Sequence, residues 1–90
     1  MDKKEYAILL LKRLTNMLEE NQRAKKVYKQ LQYKVPRWDI NREEYWKVYN
    51  SLSNDEKHIY YKQGVIYSMS AIQRVRIELN TILIEIDKGR

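Results

Sequence analysis

The chain has 90 residues, with 18 Lys or Arg against 12 Asp or Glu and a formal charge of +6. That length supports one modest core, so residues 1–90 are expected to form a single helical domain. With no Cys, disulfides and thiolate metal sites are excluded, and only two Gly and one Pro leave few turns, which disfavours all-β and disordered chains.

The apolar run Tyr6 to Leu11 is too short for the core of a signal peptide, and Lys12 and Arg13 close it. No stretch approaches the ~18 uninterrupted apolar residues of a membrane span. A cytoplasmic protein with no membrane partner is therefore expected.

Residues 3–34 predict one helix. Ala7, Leu10, Leu14, Met17, Asn21, Ala24, Tyr28 and Leu31 recur at alternating spacings of three and four, and Leu11 and Leu18 widen the stripe toward a core-facing breadth. At ~1.5 Å per residue the helix would be ~48 Å long. Asn21 is the one polar residue on this line. It is either a break satisfied locally or by solvent, or a device that fixes register at a cost in stability. Pro36 lacks an N–H and pushes Val35 out of the α region, so the helix stops and 35–40 form a connection.

Asn41 with Glu44 predicts a capping box for a short second helix, with Ile40 packed on Tyr45 as a hydrophobic staple. Tyr45, Val48, Tyr49 and Leu52 form its inner stripe, with Trp46 beside it. Ser53 with Glu56 predicts a second capping box and the start of a long third helix, Ser53 to Asp87. In sevens, its seam runs through His58, Val65, Ile72, Leu79 and Ile86, joined by Tyr61, Ser68, Val75 and Ile82. Gly64 inside it costs ~1 kcal/mol relative to Ala, and marks a bend or the close approach of another backbone.

Two long helices and one short middle helix predict an all-α antiparallel bundle. The start of the first helix then meets the end of the third. Ile8, Leu9, Ile77 and Ile84 lie off both seams, and a two-helix contact cannot cover them. Exposed apolar surface of this kind marks an interface, and a two-fold homodimer through these four residues is expected to complete the bundle.

Asn21 to Trp38 holds six basic residues and no acidic one: Arg23, Lys25, Lys26, Lys29, Lys34 and Arg37. Tyr28, Tyr33 and Trp38 are interleaved, and Trp46, Tyr60 and Tyr67 are expected nearby. Such a surface fits an acidic protein partner, with Trp38 and Trp46 as anchors, or the phosphates and bases of DNA or RNA. A Lys-rich helix face is also often only solvated.

A helix-turn-helix centred on Gly64 is disfavoured, because Tyr60 or Tyr61 occupies the position where that motif needs a small residue. Catalysis has little support. His58 is the only His, Glu19–Glu20 and Glu43–Glu44 are adjacent and so point apart on a helix, and no metal cluster, phosphate loop or nucleophile–base spacing is visible. No metal or cofactor is expected. Small basic helical proteins of this size include phage and plasmid regulators, inhibitors of host defence and bacteriocin immunity proteins, but no motif selects among them. The expectation is a non-enzymatic interaction protein that docks through its basic, aromatic-rich end. A nucleic-acid-binding regulator using the same cations is the alternative.

Overall fold

The structure is a computed structural model describing residues 2–89. Among these the fold is all-helical: α1 (Lys3–Lys34), α2 (Arg42–Ser51), α3 (Asn54–Tyr61) and α4 (Met69–Lys88). The contacts gather into two compact units. One holds the chain up to Glu20 together with Tyr67 onward, and the other is Asn21–Ile66. Helix α1 contributes to both.

Helix α1 has the predicted bounds. The Asp2 carboxylate accepts the Glu5 N–H at 2.7 Å, satisfying one free donor of the first turn. At the other end the Val35 N–H still donates to the Leu31 carbonyl at 2.8 Å, and Pro36 stops the helix there. In the first unit, Ala7, Leu10 and Met17 pack against Ile72, Val75 and Leu79 of α4, flanked by Leu14, Ile82 and Ile86. Lys3 pairs with Glu85 at 3.5 Å, and the Tyr6 hydroxyl donates to the Glu78 carboxylate. The start of α1 therefore meets the end of α4, as an antiparallel pair requires.

In the second unit Ala24, Leu31 and Val35 pack against Leu52 and Ile59. Ile59 and Ala24 are wholly buried, and no buried residue among those described is polar or charged.

The predicted third helix is two helices. Helix α3 stops at Tyr61 in a Schellman motif: the Gln63 N–H donates to the Tyr60 carbonyl at 3.1 Å and the Gly64 N–H to the Ile59 carbonyl at 3.0 Å. Gln63 adopts φ +55° and Gly64 φ +80°. A Cβ on Gly64 would lie 3.1 Å from Tyr28 Cβ, 3.2 Å from Lys25 Cα and 3.3 Å from the Ala24 carbonyl oxygen. Of the two suggested roles of Gly64 the close approach of the α1 backbone holds, whereas the helix does not bend at Gly64 but has already ended before it. The predicted seam fails across α3, where His58, Tyr61 and Val65 are exposed and the off-seam Ile59 is buried. It holds in α4. There Ser68 is the N-cap, accepting the Ala71 N–H at 3.1 Å.

Asn21 is neither a solvated break nor satisfied locally, because its partner lies 45 residues away. Its Oδ1 accepts the Ile66 N–H at 3.0 Å, tying down the segment that follows the Schellman turn. The connection Lys62–Ser68 is also longer than the three or four residues of a DNA-binding helix-turn-helix.

Both caps of the middle region form, unequally. Ser53 and Glu56 complete their box, with bonds of 3.1 and 2.9 Å, and the Ser53 N–H holds the Glu56 carboxyl below its ordinary range. Asn41 accepts the Glu44 N–H at 3.1 Å, but its own N–H is taken by the Arg37 carbonyl, so Glu44 has nothing to return to. The expected staple is also not made, since Ile40 remains 73% exposed.

Gly64→Ala adds a methyl group against unyielding backbone at a left-handed position. It is expected to destabilise the protein by about 2 kcal/mol, and so to lower the melting temperature by roughly 10 °C in a thermal scan.

Candidate docking surface

The Asn21–Ile66 unit carries ten basic and five acidic residues, a net +5, so most of the chain's charge resides in it. The six cations of the sequence cluster do not form one site. A helix turns 100° per residue, so Lys25, Lys26 and Lys29 fall on the side of α1 turned away from Ala24 and Leu31. With Gln22 they line a shallow surface hollow, and none of the three makes an ion pair among the described residues. Tyr33 falls on the same side and is 95% exposed.

Arg23 and Lys34 lie on a different flank. Arg23 pairs with Asp55 at 3.3 Å, and the Lys34 charge acts on Glu56, so both cations face the acidic first turn of α3. Arg37 pairs with Asp39 at 2.9 Å within the connection before α2. Half of the predicted cluster therefore has acidic neighbours inside the unit. These pairs are solvent-exposed, and such pairs contribute about 0–1 kcal/mol each.

The aromatic residues divide in a similar way. Tyr28, Tyr60, Tyr49, Tyr45 and Trp46 form a continuous ladder with ring centroids 5.3–6.2 Å apart. This ladder holds α2, which contains no fully buried residue and is too short to persist alone. Burial raises the Tyr60 hydroxyl above its ordinary value, reinforced by Tyr45 and Tyr28. Tyr67, expected here, packs in the other unit beside the α1–α4 core.

Trp46 closes the ladder edge-on to Tyr45 and Tyr49, yet stays 50% exposed. Trp38 is 45% exposed and lies under the Arg42 guanidinium, 4.3 Å from the ring centroid. Arg42 and Trp46 are one turn apart on α2, so Trp38, Arg42 and Trp46 share one side of it. Both indoles belong to the site predicted from sequence, and Arg42 does not. The four-residue step from Arg42 to Trp46 is the sequence signal that could have found it. Two ordered, half-exposed indoles with a stacked guanidinium have the composition of an interface hot spot.

The four residues predicted as a dimer contact are all half-exposed: Ile8, Leu9, Ile77 and Ile84 lie between 48% and 57%. They do not form one patch. Ile8 lines a groove with Ala7, Leu11, Leu79 and Leu83, whereas Ile77 borders a hollow with Met69, Ser70, Gln73 and Arg74. Ile84 adjoins the groove through Leu83, and Leu9 is on the opposite flank of α1. Leu11 and Leu18, expected in the core stripe, are 54% and 36% exposed. They sit to one side of the line formed by Ala7, Leu10, Leu14 and Met17, which leaves them partly open to solvent.

Among the described residues no three His, Asp or Glu form a metal-binding group, and no helix is long and apolar enough to cross a membrane. No family model, curated protein or solved structure matches this chain.

The raised Tyr60 value has a definite sign. Folding favours the neutral phenol, so this contribution is complete below the ordinary value of 10.0 and is lost as the pH rises through the folded-state value. Urea unfolding followed from pH 9 to 11.5 is expected to show stability falling at the alkaline end, and Tyr60→Phe to flatten that fall.

Proposed function

We propose that this chain is a small non-enzymatic, cytoplasmic interaction protein. As a homodimer, it would dock on an acidic macromolecular partner through its Asn21–Ile66 unit. The observation that carries this reading is two half-exposed indoles in the Asn21–Ile66 unit, Trp38 under the Arg42 guanidinium and Trp46 edge-on to Tyr45 and Tyr49. A side chain already fixed before binding loses little entropy on docking, and Trp and Arg dominate interface energetics. Lys25, Lys26 and Lys29 would act at longer range, raising the rate of encounter with an acidic surface. In this mode the protein acts by occupying a surface, as an inhibitor or regulator of a mobile-element type would.

One observation favours nucleic acid as the second reading. Among the described residues Lys25, Lys26 and Lys29 make no ion pair, and they share a side of α1 with the exposed Tyr33, an arrangement that would meet phosphates and a base.

Affinity capture from native host extract, with and without nuclease, separates the two. The protein-docking reading predicts nuclease-resistant capture that Trp46→Ala or Trp38→Ala abolishes while far-UV circular dichroism is unchanged. Capture that survives both substitutions contradicts it. The nucleic-acid reading predicts binding that weakens, for three phosphate contacts, by roughly 2.7 log units per tenfold rise in salt with a short duplex and roughly 2.1 with a single strand. It fails if neither probe shifts at low salt.

A further inference from the structure

The two sides of the α1–α4 pair differ sharply in character. One side is spanned by polar contacts, Lys3 to Glu85 and Tyr6 to Glu78. The other is an open apolar groove with Ala7 and Leu79 as its floor and Ile8, Leu11 and Leu83 as its walls. The walls are about half exposed. Along α4 the stripe through Leu83 runs Arg76, Asn80, Leu83, Asp87, at steps of four, three and four residues. Neither Arg76 nor Asp87 makes an ion pair among the described residues, and both are exposed. The stripe is therefore cationic at one end, apolar near its middle and anionic at the other.

We infer that a second copy of this chain covers the groove, with the two α4 helices antiparallel about a two-fold axis crossing between Asn80 and Leu83. Self-association is part of the proposed function; the face that carries it is what the geometry adds. Three observations select a second copy. First, a stripe with opposite charges at its ends is complementary to itself when reversed: Arg76 of one copy meets Asp87 of the other, and the symmetry makes the pair twice. Second, this unit is close to neutral, with eight basic and seven acidic residues, so the two faces add little repulsion of their own when they meet. An acidic partner would instead be drawn to the Asn21–Ile66 unit at +5. Third, one copy presents an apolar wall from each helix, and a facing pair of helices supplies the same walls in return, giving a closed four-helix layer. Leu83 then lies near the axis with Ile8 and Leu11 flanking it, while Leu9 and Ile77 stay outside the contact.

Sedimentation velocity on the full chain, from low to high micromolar concentration, tests this, with far-UV circular dichroism as the check on folding. The wild type is expected to dimerise. Arg76→Glu sets a carboxylate against Asp87 of the other copy at two places, and is expected to weaken the dimer by about tenfold or more. Adding Asp87→Arg to it reverses the charge order and is expected to restore dimerisation. Leu83→Lys is expected to give a folded monomer, and Leu9→Lys and Ile77→Lys to stay dimeric. Should Leu83→Lys unfold, the charge reversal and its rescue still decide. A wild type that is monomeric at high concentration overturns both the dimer and this face. A dimer that ignores Arg76→Glu, or that breaks with Leu9→Lys or Ile77→Lys, overturns this face and leaves self-association standing.

Discussion

Gly64 lies so near α1 that a Cβ there would crowd its backbone, and that close approach sets where α3 must end. The approach is possible because Gly64 has no Cβ, which would stand 3.1–3.3 Å from Tyr28 Cβ, Lys25 Cα and the Ala24 carbonyl oxygen. A helix cannot continue through a residue at φ +80°, so α3 must stop before it. The carbonyls released at that end are taken up by the Gln63 and Gly64 N–H groups, and the Ile66 N–H by Asn21. Backbone polar groups in a part-buried turn are costly when unmet, and the polar Asn21 on an otherwise apolar line answers that demand. Gln63 at φ +55° is strained by roughly 1–2 kcal/mol, which the surrounding bonds must offset.

With α3 fixed in this way, Ile59 enters the core and Tyr60 reaches Tyr28 and Tyr49. The tyrosine ladder is what gives α2 a place to lie. Helix α2 in turn carries Arg42, stacked on Trp38, and the half-exposed Trp46. The proposed docking surface thus depends on a turn that contributes none of its residues. Affinity would come from the indoles and approach rate from the lysines, two quantities that mutation can separate.

Much of this is legible in the sequence where local chemistry decides the outcome. Pro36 ends α1, Asn41 and Ser53 cap the next two helices, and Ala7, Leu10, Met17, Ile72, Val75 and Leu79 declare the antiparallel pair through their spacing. The failures come where three-dimensional context overrides a linear pattern. The heptad from His58 to Ile86 runs through Gly64 because tyrosines and a valine tolerate either side of a helix. Ile59 lying off that seam, Gly64 within it and a capping Ser68 after it are together the sign of two helices in different registers. The six cations look like one patch when charge is counted along the chain. Counted around the helix, Arg23 and Lys34 share a flank that Lys25 and Lys29 do not. Stripe width places Leu11 and Leu18 inward, yet how much of a stripe is covered depends on what lies across from it. Sequence spacing alone does not say that.

The interruption of the second half of the chain at Gly64 is the claim on which the rest stands, and backbone NMR tests it without any substitution. Cα secondary shifts are predicted to be helical through Tyr61, to collapse from Lys62 to Ser68 with a left-handed signature at Gln63, and to become helical again from Met69. Uninterrupted helical shifts from Asn54 to Lys88 would contradict the account.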